Sequence, residues 1–106
     1  MPVIGNIPKA RGRGVRKVEL GSATGPGSDV SVGAGSVVEF SVAVSPTLRN
    51  VDSVKTVRVS GLPANILVSQ VDFSPTSITF RAVNPTASAI TIAANSLTVT
   101  FEAIGY

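Results

Sequence analysis

Apolar and polar residues alternate with a period of two along much of the chain. In SVVEFSVAVS, residues 36–45, Val38, Phe40, Val42 and Val44 share one phase, while Glu39, Ser41, Ala43 and Ser45 take the other. Successive side chains of a strand point to opposite faces, so this run predicts a strand with one buried face. The pattern returns with Ile78, Phe80 and Ala82, and again with Leu97, Val99, Phe101 and Ala103.

Between the alternating runs stand clusters of Gly, Pro, Asn and Ser: GSATGPGSD at 21–29, GAG at 33–35, SPTLRN at 45–50, GLPAN at 61–65, SPTS at 74–77, NPTAS at 84–88 and AAN at 93–95. Their spacing of about 8 to 12 residues is that of turns in an all-β domain. Strands are predicted near 15–20, 28–32, 36–45, 54–60, 66–73, 77–83, 88–92 and 96–104. About eight short strands in one domain predict a single two-sheet β-sandwich, Greek-key or jelly-roll-like, with an extended N-terminal arm.

Composition agrees with that class. Val, Ile, Ser and Thr dominate, and the straight-chain helix formers are scarce. At 106 residues the chain has room for one modest core, burying roughly 65% of its unfolded surface. It has no Cys, His or Trp, so no disulfide or thiolate metal site can brace it, and the Cys–Trp–Cys signature of immunoglobulin domains cannot occur. MPVIGNIPKARGRG has Pro, Gly and charge where a secretory signal needs an apolar run, and no 18-residue apolar stretch follows. The expectation is synthesis in a host cytoplasm with no membrane span.

The search for chemistry narrows the function classes. Without His or Cys, the usual general base near neutrality and the thiolate nucleophile are both excluded. No G-x-S-x-G elbow or S-x-x-K pair activates a serine. Glu19, Asp29, Glu39, Asp52, Asp72 and Glu102 occur singly, without the D-x-D spacing that gathers oxygen ligands around a cation. Asp29 and Asp52 lie in or beside predicted turns and are read as caps of their own backbone. GSATGPGS lacks both the Lys and the following helix of a phosphate loop, and is read as a connector. The expectation is no enzyme, no cofactor and no metal.

Charge is distributed unevenly. Lys9, Arg11, Arg13, Arg16 and Lys17 make residues 1–17 a +5 segment, whereas residues 18–106 carry four bases against six acids and stand at −2. Residues 1–17 are read as a basic arm and 18–106 as the β domain. Such an arm suits an acidic partner surface, a nucleic acid or plain solvent. Val3, Ile4 and Ile7 favour the first, since a solubility or nucleic-acid tail has little use for apolar residues. Apolar anchors, a stiffening Pro and bases behind them predict a segment that lies along another subunit and folds on contact.

The C-terminal half, LPANILVSQVDFSPTSITFRAVNPTASAITIAANSLTVTF, resembles a pattern common in small virion proteins of tailed bacteriophages: a strand entered through Ile66-Leu67, an I-T-F-R-A strand ending in N-P-T, and a last Thr/Val-rich strand. With SVVEFSVAVS upstream, the likeness covers roughly residues 36–104 and is carried by Phe80, Arg81, Asn84, Pro85 and Thr86. The resemblance implies a β-sandwich that works by binding a virion lattice, as capsid decoration (cement) proteins and fibre-associated modules do, and implies no catalytic role. The arm and the 21–36 connector lie outside the pattern, which does not distinguish head from tail.

The resulting expectation is a non-enzymatic structural protein on the capsid surface of the virion. It bridges neighbouring capsid subunits through Val3, Ile4, Ile7, Lys9, Arg11, Arg13, Arg16 and Lys17, with the major capsid protein or another virion protein as partner. Self-association is expected, with a trimer as the guess suited to quasi-threefold positions. The alternative is a tail or fibre module recognising a host surface glycan or protein. A glycan site wants exposed aromatics; Phe40, Phe80 and Phe101 fall on core faces, Phe73 shares the phase of Val71 and is also read as core, and Tyr106 alone remains available.

Overall fold

A computed structural model describes residues 16–106. Among these residues the chain is all-β, with eight strands and no helix: β1 (Lys17–Gly25), β2 (Val30–Val32), β3 (Val37–Ala43), β4 (Val51–Ser60), β5 (Leu67–Ser74), β6 (Ser77–Val83), β7 (Ile90–Ile92) and β8 (Leu97–Gly105). Every ladder is antiparallel. The strands divide over three small sheets rather than two, ordered β1-β8-β4, β2-β7 and β3-β6-β5. The pairings β1–β8, β2–β7 and β3–β6 are nested, as in a long hairpin, so each early strand meets its partner from the far end of the chain.

The alternating runs explain which face is buried. In β3, Phe40 and Val42 are buried and Glu39, Ser41 and Ala43 exposed; in β6 the buried residues are Ile78, Phe80 and Ala82; in β8 they are Leu97, Val99, Phe101 and Ala103. Inward residues of both three-stranded sheets join one hydrophobic cluster, completed by Val32 and Ile92 of the β2–β7 ribbon. At its middle the cross-strand pair Phe40 and Phe80 stacks with ring centroids 5.6 Å apart. Such a contact is worth about 1 kcal/mol beyond its buried area.

Three turns share one device. Gly35, Asn65 and Asn95 each follow an alanine and each adopt the left-handed conformation, with φ of 64°, 66° and 56°. Ser36 N–H donates to Gly33 O (3.0 Å) and Ser96 N–H to Ala93 O (3.2 Å), closing four-residue turns of type II geometry. That geometry needs positive φ at the third position, which Gly and Asn supply at least cost.

Three expectations are corrected. The first strand does not stop at residue 20, because residues 21–25 continue pairing with β8. Gly21 lies across from Phe101, where a Cβ would come within 2.6 Å of the ring, so the small residue that reads as a connector is the one the core requires. Asp29 does not cap its own backbone: its Oδ1 accepts from Ala94 N–H at 2.8 Å, sixty-five residues away, and fastens the β7–β8 turn to the β1–β2 connection. The fourth strand also begins at Val51 rather than 54.

Candidate functional site

The described residues begin at Arg16, near the end of the basic N-terminal stretch of the sequence. Arg16 is exposed, and its guanidinium pairs with Asp52 at 2.6 Å. Asp52 follows Val51, whose strand partner is Gly105, which in turn pairs with Lys17. Arg16 thus reaches across the end of β8 from β1 to β4, and Asp52 holds an ion pair rather than the predicted cap. Exposed pairs of this kind contribute about 1 kcal/mol or less, so the contact directs the chain more than it stabilises the fold. Lys17 is exposed and opens β1. Val3, Ile4, Ile7, Lys9, Arg11 and Arg13 lie outside the described residues.

Next to Arg16, β1 presents aliphatic residues to solvent. Val18 is 62% and Leu20 69% exposed, on the phase opposite to Gly21 and its Phe101 contact, with Ile104 and Glu102 as their partners on β8. A second aliphatic row crosses the outer face of the other three-stranded sheet, where Val37 and Leu67 flank Val83. Single exposed aliphatics are ordinary on a protein surface; here two of them, two residues apart on an edge strand, follow a basic stretch of the sequence.

Three further acids are individually engaged. Glu19 accepts Thr47 N–H with both oxygens (2.8 and 3.1 Å), Glu39 pairs with Arg81 (2.9 Å), and Asp72 Oδ1 accepts Phe73 N–H (2.8 Å). Among the described residues no group of acids converges as a cation site would require. The hydroxyl pairs Ser41–Thr79 (3.4 Å) and Ser74–Ser77 (2.9 Å) link neighbouring strand positions.

An open groove of about 570 Å³ lies where β4 and β5 face one another, lined by Lys55, Thr56, Gln70, Val71, Asp72 and Phe73. Both strands are irregular there: pairing slips between Thr56 and Arg58 on β4 and between Gln70 and Asp72 on β5. The core assignment of Phe73 is overturned. The inward residues of this stretch are Ile66, Val68 and Gln70, so Val71 is out of their phase, and the extra residue after Gln70 sets Phe73 opposite Ile78 on the edge strand; Val71 and Phe73 are 39% and 40% exposed. Tyr106 is half-buried instead, with main-chain hydrogen bonds to and from Asn50. Gln70, in the buried phase of a strand, was the available signal of an unusual site, because a side chain carrying an amide is placed there only if its polar atoms find partners.

Comparison with protein-family models, with curated proteins and with solved structures found no match.

Proposed function

We propose that the protein is a non-enzymatic structural component of a bacteriophage virion, a capsid decoration protein whose N-terminal arm bridges neighbouring capsid subunits. In this reading the two three-stranded sheets are the halves of a β-sandwich of Greek-key or jelly-roll type. The β domain is the rigid body, and residues 1–17 are the strap.

The observation that supports this most directly is the exposed pair Val18 and Leu20 on β1, immediately after the five bases and beside the Arg16–Asp52 contact. Apolar surface and positive charge in continuity make a strip that an acidic subunit with an apolar groove would cover. The attraction of the bases accelerates and orients docking, and the buried aliphatics slow release. A ligand that binds only the assembled shell stabilises that shell by mass action, which is what decoration accomplishes. The partner is the major capsid protein or another virion protein, and self-association, with a trimer as the first expectation, would match the lattice.

Co-sedimentation with purified capsids tests the proposal. Saturable binding at a fixed ratio to capsid subunits is expected, weakened by Leu20→Ser and by raised salt. Absence of binding to any purified virion particle contradicts it.

A further inference from the structure

Edge strands present unpaired main-chain groups, and a chain that stays single blunts them with bulges, charges, short length or a covering group. Most edges of this domain have such a device. On β4 the pairing slips twice, and Gln70 covers two main-chain groups, its Oε1 accepting from Thr56 N–H (2.6 Å) and its Nε2 donating to Val54 O (2.8 Å). On β5 the pairing slips between Gln70 and Asp72, the outward row of β3 has charged Glu39 at its middle, and β2 and β7 are three residues long.

β1 has none of these. Its nine residues pair with β8 without a slip, and among the described residues its main chain has no partner on the other side. The outward row Val18, Leu20, Ser22 and Thr24 is uncharged and exposed. Glu19, of the inward phase, has both carboxylate oxygens on Thr47 N–H (2.8 and 3.1 Å), so its charge is satisfied within the domain. Arg16 is drawn away from the free edge, across β8 to Asp52 on β4.

Charge selects the occupant of this edge. The five bases of residues 1–17 all precede or open β1, at one end of the strand. A second copy lying parallel would set two such stretches side by side, where like charges repel. An antiparallel copy sends them to opposite ends and sets two uncharged rows against each other. With full overlap over Lys17–Gly25, Gly21 falls on the twofold axis, and Leu20 lies across from Ser22 of the second copy and diagonal to its Leu20.

We propose that β1 is a self-pairing edge: two copies of the chain join antiparallel along Lys17–Gly25 about a twofold axis, making one six-stranded sheet from two β1-β8-β4 sheets. Identical edges close at two copies, so the unit is a dimer in place of the trimer first expected. The outer face of that sheet brings two Val18–Leu20 strips together. The pairing itself needs no capsid, so it holds or fails apart from the proposed function.

Sedimentation equilibrium of the free full chain tests it. A reversible monomer–dimer equilibrium is expected in the micromolar to millimolar range. Leu20→Lys combined with Ser22→Lys should weaken it about a hundredfold or more, because ammonium groups then face one another across the axis. Leu67→Lys, on the edge strand of the other sheet, should leave the dimer intact. In the parent, amide hydrogen exchange within 18–24 should slow as concentration rises through the equilibrium while that of 67–74 does not, a readout that needs no variant. A chain monomeric throughout, a trimer, or a dimer whose β1 amides exchange at an unchanged rate overturns the proposal. A dimer lost in Ile4→Ser with Ile7→Ser but kept in the lysine variant would give the contact to the N-terminal stretch and overturn it equally.

Discussion

Gln70 and Thr56 join the two three-stranded sheets through one side chain, because Gln70 Oε1 accepts both the main-chain N–H (2.6 Å) and the hydroxyl (2.7 Å) of Thr56. With Gln70 Nε2 on Val54 O (2.8 Å), the amide substitutes for a strand that is not there. Gln70→Leu should preserve volume but strand a partly buried N–H and C=O, costing about 1–3 kcal/mol in urea melts. A loss below about 0.5 kcal/mol would show that water replaces the amide freely.

Asn84 is the buried polar residue of the domain. Its Nδ2 donates to Val32 O (3.0 Å) and Ser88 O (2.7 Å), and its Oδ1 accepts from Thr86 N–H (2.9 Å) and Thr86 Oγ1–H (2.7 Å), so all its capacity is used. Asn84→Asp keeps the acceptor and removes both donors, and Asn84→Ala removes all four bonds. Each should cost about 2–4 kcal/mol in chemical denaturation, because buried partners are left unpaired. Thr86→Val, which removes a hydroxyl shared between Asn84 Oδ1 and Ser88 O and its acceptance of Ser88 N–H but leaves Thr86 N–H on Asn84, should cost markedly less because these groups are only partly buried; equal losses in all three would place the effect outside this network.

The alternation in β3 makes a paired prediction. Phe40, buried against Phe80, should lose about 3–5 kcal/mol on truncation to Ala, and Ser41 on the exposed phase should lose almost nothing. Comparable urea midpoints for the two variants would mean a register slipped by one residue.

These cases show where the chain could be read directly. β3, β6 and β8 alternate strictly, and burial follows the alternation residue by residue, because in a two-faced strand hydrophobicity is the only thing that chooses the face. Gly35 and Asn95 announced their turns for an equally local reason, the need for positive φ. The misreadings arise where a distant residue decides. Gly21 looks like a linker until Phe101 is placed across from it, and Phe73 reads as core by sharing the phase of Val71, whereas the inward phase of β5 is that of Val68 and Gln70. Asp29 finds its partner sixty-five residues away, beyond any local turn rule. Of the candidate arm, Arg16 and Lys17 alone fall among the described residues, and the groove was invisible because it is made by the meeting of β4 and β5.

The measurement that bears most directly on the proposed function is capsid binding by a chain lacking residues 1–15, compared with the full chain across a range of salt concentrations. The core cluster among the described residues runs from Val32 to Ala103, and the shortened chain is expected to melt at an unchanged temperature. Its occupancy on purified capsids should collapse, and the salt dependence seen with the full chain should flatten as three of the five bases are lost. A shortened chain that decorates capsids with undiminished occupancy at every salt concentration would contradict the account.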